Sequence, residues 1–219
     1  AYAGDVTWDS SNNTVNINDS FLVLQNNNGS GILGGLIKAN PGNSFSGTAT
    51  ANNNKINIKN SSIKVLNTSM GITAGYVSEV SSGELTSANN NSLSIDNSVI
   101  YGPIFAGRND NGEANHNSVI ISNNSAIMGT VVGGFASGTS ASNNTIEING
   151  SNNLLSAFIF GWDREETNEK FIHENNKLVI NNFSGAVGGI KNFNKIVFND
   201  IKWNTSPKME IVPDDVVDS

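Results

Sequence analysis

Two groups of acidic residues could support acid–base chemistry. The first is Asp110 and Glu113, which closely follow Arg108 in the chain. The second is a run of carboxylates interleaved with cations in one polar segment: Asp163, Arg164, Glu165, Glu166, Glu169 and Lys170. Enzymes that cleave polysaccharides use two carboxylic acids about 5–10 Å apart. We expect the second group to form a solvated, salt-bridged loop. The alternatives are a binding epitope and a catalytic or Ca²⁺ site, which needs oxygen ligands in fixed positions.

Metal and nucleophile chemistry find little support in the sequence. The two histidines, His116 and His173, are expected on surface loops, because a metal site needs further ligands of a suitable type. The chain contains no Cys, and it has neither a Gly-x-Ser-x-Gly nucleophile motif nor a phosphate-binding glycine loop. We therefore predict no metal, no cofactor and no enzymatic activity.

The chain repeats one pattern, a pair of Asn residues followed by alternating apolar residues. The pair occurs six times, once with His in the first place, at 12–13, 53–54, 90–91, 116–117, 143–144 and 175–176. Counted from the second residue of each pair, the successive steps are 41, 37, 26, 27 and 32 residues. Between the pairs a second string recurs, apolar-x-small-Gly, for example at 104–107 and 131–134. Tandem copies of one unit identify a repeat protein.

Each unit contains short β-favouring runs and no window of helical periodicity. In segment 55–58 the apolar residues alternate with polar ones, as along a strand with one buried face. Units of irregular length with variable loops are typical of a right-handed parallel β-helix. We therefore predict an all-β fold, a β-solenoid of about six to seven rungs. The chain 1–219 is expected to form one elongated domain, with repeats over about 12–189, a terminal rung or cap at 190–205 and a tail at 206–219.

One column of residues is a candidate binding surface. The residues that directly follow each small-Gly string are Leu36, Tyr76, Arg108, Phe135, Trp162 and Ile190. If the units stack in register, these side chains lie about 4.8 Å apart along one line. A half-buried packing ladder is the favoured interpretation, and an exposed aromatic-and-Arg stripe that binds protein or sugar is the alternative. Since Arg108 can hardly be buried alone, we expect an outward-facing column or a bulge at Arg108. The candidate binding residues are Tyr76, Arg108, Trp162 and Arg164.

The composition limits the classes of function. Only 14% of the residues are charged, so Asn, Ser, Thr and Gly must cover the surface, and stacked Asn side chains can bond from one unit to the next. The net charge is -7 and the sequence has no basic patch, which argues against nucleic-acid binding through phosphate neutralisation. The absence of Cys suits a chain that is secreted unfolded. No apolar run reaches the length of about 20 residues that a membrane span requires, and we identify no signal peptide.

The repeated units resemble the passenger domains of bacterial autotransporters, in particular large adhesin-like ones. The resemblance rests on the Asn-Asn-x-apolar-x-apolar string, the Val-x-Gly-Gly string and a loop of Ser, Gly and Ala, and it covers about residues 12–189. Segment 189–198 is similar to the Asn-Phe strand that often follows the last repeat. The resemblance implies secretion through an outer-membrane β-barrel that lies outside this sequence, followed by folding outside the cell.

On this resemblance, the chain is expected to be an adhesin or adhesin stalk at the bacterial cell surface. Its partner is expected to be a host or bacterial cell-surface protein or glycan, and the chain itself a monomer. A carbohydrate-active β-helix enzyme, such as a polysaccharide lyase or glycosidase, and a purely structural spacer are the alternatives. No acid pair recurs on neighbouring units in the way a catalytic cleft requires, and this favours the adhesin.

Overall fold

The computed structural model describes residues 6–25, 31–38, 47–66, 70–78, 85–163, 171–200 and 209–211. The regular elements in these ranges are all β-strands, so the predicted all-β fold is confirmed. In chain order they are β1 (Val6–Asp9), β2 (Thr14–Asn18), β3 (Phe21–Gln25), β4 (Ile32–Lys38), β5 (Gly47–Thr50), β6 (Lys55–Lys59), β7 (Ser62–Leu66), β8 (Ile72–Ser78), β9 (Leu85–Ser87), β10 (Ser92–Asp96), β11 (Val99–Tyr101), β12 (Ile104–Asn109), β13 (Ser118–Ser122), β14 (Ala126–Ala136), β15 (Thr145–Asp163), β16 (Lys177–Lys191), β17 (Lys195–Asn199) and β18 (Met209–Ile211).

The strands pair in parallel, each with the strand at the equivalent place in the next repeat unit, and four stacks result. The first stack is β1–β5–β9. The second is β2–β6–β10–β13, continued by the first parts of β15 and β16 and by β17. The third is β3–β7–β11, continued through the beginning of β14 to the middle of β15 and β16 and to β18. The fourth is β4–β8–β12, continued by the second part of β14 and the ends of β15 and β16.

The hydrophobic core lies inside the stacks because the apolar residues alternate along each strand. In β6 the two isoleucines, Ile56 and Ile58, are buried between exposed lysines. Their register partners are equally apolar and almost fully buried in the following units: Leu93, Ile95, Val119, Ile121, Ile146, Ile148, Leu178 and Ile180. Each such side chain contributes about 1.5–3 kcal/mol of burial free energy, so these columns account for much of the stability.

The Asn pairs mark turns that need a left-handed backbone. The first residue of each pair has a positive φ, between 56° and 62°: Asn12, Asn53, Asn90, His116, Asn143 and Asn175. A second series of positive-φ residues follows the second-stack strands and includes Asp19, Asn60 and Asn97. Asn and Asp tolerate this conformation better than most residues, since their short side chains bond locally. The turns therefore explain why Asn recurs at these places.

The second residue of each pair belongs to a ladder of side-chain amides, which is buried from Asn54 to Asn176 and exposed at its two ends. Its members are Asn13, Asn54, Asn91, Asn117, Asn144, Asn176 and, beyond the last pair, Asn194. In each step the backbone N–H donates to the side-chain oxygen of the next member, at 2.8–3.0 Å. A shorter ladder of serines, with Ser61 and Ser98 among its members, lies at the turns between the second-stack and third-stack strands. The predicted Asn stacking is confirmed, and the most regular part of it is buried rather than on the surface.

The C-terminal segments contribute two further strands, β17 and β18. Within the expected cap, β17 pairs in register with β16 as a further strand of the second stack, and its apolar residues Ile196 and Phe198 are 42% and 49% exposed. Part of the expected tail is also a strand, since Met209–Ile211 pairs with β16. Residues 201–208 and 212–219 lie outside the described residues. In the described ranges no helix is long and apolar enough to cross a membrane.

Candidate functional site

The guanidinium of Arg108 lies in a cage of aromatic rings on the fourth stack. It is 5.0 Å from the ring centroid of Tyr76, 5.3 Å from that of Phe105 and 4.8 Å from that of Phe135. Its Nε donates to a carboxylate oxygen of Asp110 at 3.1 Å. Tyr76 and Phe135 come from the neighbouring strands β8 and β14, while Phe105 and Asp110 lie on or beside the strand of Arg108. The charge is thus stabilised by one ion pair and three ring faces.

The same carboxylate ties the cage together. The Tyr76 hydroxyl donates to the second carboxylate oxygen of Asp110 at 2.8 Å. Burial, followed by the nearby negative charge of Asp110, raises the pKa of Tyr76 to about 12. The phenol therefore remains protonated as a donor to Asp110 across the physiological pH range.

The exposed aromatic-and-Arg stripe is wrong as an interpretation of this column. Tyr76, Arg108 and Phe135 are buried, with only 4–9% of their surfaces exposed. They pair in the register expected from the repeat. Leu36 pairs with Tyr76 and begins the column at its N-terminal end. Arg108 is neither outward-facing nor at a bulge, because Asp110 and the rings of adjacent strands enclose its charge. The column is the packing ladder that the sequence favoured, and a binding role for Tyr76 and Arg108 stays a prediction.

The column breaks at its last two members. Trp162 pairs with Gly134, not with Phe135, and Ile190 pairs with Ile159. For Ile190 the cause is a change of register between β15 and β16, where Leu154 pairs with Val187 but Phe158 with Gly189. For Trp162 it is an irregular register between β14 and β15, where Ala126 pairs with Asn153 but Gly129 with Ala157. One extra residue in β15 moves every later side chain by one position. The assumed equivalence of Trp162 and Ile190 with Arg108 was therefore wrong.

Trp162 belongs to a separate aromatic cluster that includes both buried and exposed rings. Its ring is stacked on that of His173, with centroids 4.4 Å apart and an interplanar angle of 15°. It also contacts the buried Phe171 at 5.5 Å. His173 is exposed, as predicted for a surface-loop histidine. We call Trp162, Phe171 and His173 the Trp162 cluster. Arg164, the remaining predicted binding residue, lies outside the described residues, as does the rest of the charged segment 164–170.

The acids considered for catalysis occupy two different networks. Asp110 is held by Arg108 and Tyr76. Glu113 accepts from the side-chain amides of Asn89, at 2.6 Å, and Asn115, at 3.1 Å. Each carboxylate thus has fixed structural partners of its own. Among the residues that the structure describes, no group of three His, Cys, Asp or Glu side chains could hold a metal ion.

A groove of about 280 Å³ beside β9 was not anticipated from the sequence. Its walls are Thr48, Thr50, Leu85, Thr86, Ser87, Asn111, Gly112, Glu113 and Thr139. These residues come from four different repeat units, so only the register brings them together. The sequence feature that relates to the groove is the fall in unit length from 41 and 37 to 26 and 27 residues. Shorter units next to longer ones leave a step in the surface at this point.

Comparisons with known proteins leave the chain without an assigned relative. No protein-family model, no curated protein and no solved structure matches it.

Proposed function

We propose that the four stacks are the faces of a right-handed parallel β-helix. The support is the constant chain order of the stacks, with each unit passing through them in turn before the next unit begins. Parallel strands need a crossover connection, and such crossovers are right-handed in nearly all known cases. The apolar columns of the second stack then form a continuous core, closed laterally by the other faces.

On this architecture we propose that the chain is a surface-exposed adhesin module of the autotransporter-passenger type, extracellular and attached to a bacterium. The observation that carries the proposal is the unbroken register of seven second-stack strands, from β2 to β17, supported by the buried Asn ladder. A rod built in this way holds its surface side chains at fixed intervals of about 4.8 Å. Because its side chains are already held in place, such a surface can contact a cell-surface protein or glycan with little loss of conformational entropy.

The side chains on the described surface favour recognition through hydrogen bonds and shape over general electrostatic attraction. The chain has 12 basic and 19 acidic residues, so the module carries net negative charge. Much of the exterior is formed by Asn, Ser and Thr side chains, which provide neutral hydrogen-bonding groups. The exposed His173 on the half-buried Trp162 adds an aromatic surface that can stack on a ligand. Recognition would then depend on shape and hydrogen bonds, and it would change little with salt.

The direct test is cell and glycan binding by the purified chain. Fluorescently labelled protein is applied to epithelial cells, to bacteria, to extracellular-matrix proteins and to immobilised glycans. We expect saturable binding to at least one of them, with little change between 50 and 300 mM salt. A Trp162→Ser variant tests the Trp162 cluster, and Val23→Ser, an exposed change on the third stack, is the matched control.

The other outcomes replace the proposal. Absence of saturable binding to all four surfaces would favour a structural spacer. Turnover of a polysaccharide by the wild type, lost in an Asp163→Ala variant, would identify the chain as an enzyme instead.

A further inference from the structure

The groove beside β9 lies where the first stack changes from paired strands to single contacts. β5 and β9 pair over three residues. Beyond β9, the part of the stack that the structure describes continues through isolated bridges, from Ser87 to Glu113, Ser140 and Ile172. The change coincides with the shorter third and fourth units, of 26 and 27 residues against 41 and 37 for the first two. The result is a ledge along β9, with the turn 109–112 at its side.

Gly112 lets that turn approach β9 closely. A Cβ added at Gly112 would lie 2.0 Å from Oγ1 and 2.2 Å from the carbonyl oxygen of Thr86. The Thr86 hydroxyl and the backbone N–H of Gly112 share the side-chain oxygen of Asn109 as acceptor. The wall of the groove is therefore a packed structure and not a loose loop.

The backbone edge of β9 is occupied where it faces the groove. The Glu113 N–H donates to the Thr86 carbonyl at 3.1 Å, and the Ala88 N–H donates to the Glu113 carbonyl at 2.9 Å. An extended peptide would need these groups to add as a further strand. Side chains, not the backbone edge, are therefore left for recognition.

The side chains of the groove match the chemistry of a sugar. Thr50, Ser87 and Thr139 line it, and Leu85 is 78% exposed at its rim. The Thr50 hydroxyl donates to Asp9 and the Ser87 hydroxyl accepts from Asn52, which leaves the Thr50 oxygen as an acceptor and the Ser87 hydroxyl as a donor. Amides of two Asn residues fix the Glu113 carboxylate, one on each oxygen, and each oxygen keeps a further lone pair for an incoming hydroxyl. A carboxylate held in this way can accept from two adjacent hydroxyls of a pyranose, while Leu85 covers a C–H face. None of the described residues that line the groove is basic, so an anionic ligand would find no counter-charge among them.

We propose that this groove binds an uncharged saccharide, with Glu113 as the hydroxyl acceptor and Leu85 as the apolar contact. The inference rests on the proposed adhesin function and locates the glycan contact within it.

The test uses the whole 219-residue chain and a panel of immobilised neutral oligosaccharides of hexose and N-acetylhexosamine. We expect the wild type to bind at least one, and Leu85→Ser and Glu113→Gln to weaken that binding at least tenfold. Val23→Ser, a similar exposed change on another stack, should bind as the wild type does. In a ¹H–¹⁵N titration with the same oligosaccharide, the amides of Leu85 and Thr139 should shift in the wild type. Equal unfolding midpoints for the variants and the wild type check that the fold is kept.

Two results would contradict the proposal that the groove binds an uncharged saccharide. One is wild-type binding only to acidic glycans or to none. The other is undiminished oligosaccharide binding by both variants. If both variants also bind cells as the wild type does, the saccharide site in the groove is wrong, while the adhesin function stands. If the wild type itself does not bind cells, the proposed adhesin function is wrong.

Discussion

Removing one amide from the buried Asn ladder should destabilise the whole repeat array. Asn117 is 1% exposed, and its side-chain oxygen accepts both the backbone N–H and the side-chain amide of Asn91, at 2.9 and 3.2 Å. In Asn117→Leu, a change of similar volume, both donors of Asn91 lose this acceptor inside the protein. Each buried donor left unpaired costs about 1–3 kcal/mol, so the expected loss of unfolding free energy is about 2–6 kcal/mol. The oxygen of Asn144 keeps the Asn117 backbone N–H as a donor and adds little to this cost.

The assay is urea unfolding followed by far-UV circular dichroism, together with hydrogen exchange at the Asn91 amide. The exchange measurement is needed because neighbouring repeats share stability, so the global midpoint spreads the effect over several units. The matched control is Asn57→Leu, which removes a bond to Asn16 on the outer face and should change stability by less than about 0.5 kcal/mol. A loss below about 1 kcal/mol for Asn117→Leu, or a loss equal to the control, would refute the reasoning.

Three further predictions concern single residues. Because burial raises the pKa of Tyr76 to about 12 while an unfolded Tyr ionises near 10, stability should fall as the pH rises from about 10 through 12. This fall should be absent from Tyr76→Phe in pH-dependent urea unfolding, and a fall of equal size there would contradict it. Asn90→Val puts a β-branched residue at a φ of 56° and should cost about 1–2 kcal/mol in thermal unfolding. Asn90→Gly should cost almost nothing, and equal costs would contradict the turn account. Arg108→Met should lose about 2 kcal/mol in urea unfolding, since it leaves the Asp110 carboxylate without its cation, and an unchanged midpoint would count against the cage.

The fold class followed from the sequence because the repeat encodes it locally. The alternation in 55–58 and the Asn pairs each reflect a requirement of one strand or one turn, and both reappear where the pattern placed them. The tail could not be read in this way. Residues 209–211 form a strand only because β16 offers a partner, and a three-residue segment carries no periodic signal of its own.

The candidate site was harder to predict because its contacts join different units. Asp110 follows Arg108 by two positions, so the ion pair could have been proposed from the alternation along a strand. The rings that complete the cage depend on the exact register of β8, β12 and β14. Trp162 illustrates the limit, since one extra residue in β15 is invisible in a degenerate repeat yet moves the side chain out of the column.

The most direct test of the stacked-unit account is a series of distances along one column of the second stack. The column contains Asn18, Lys59, Asp96, Ser122, Asn149, Asn181 and Asn199 in register. The chain has no native Cys, so spin labels can be attached at engineered pairs 18/149, 18/181 and 18/199. At about 4.8 Å for each step, pulsed electron spin resonance should give about 19, 24 and 29 Å. Narrow distributions that grow by about 5 Å per unit would agree with the account. Distances that do not grow from one unit to the next would contradict it.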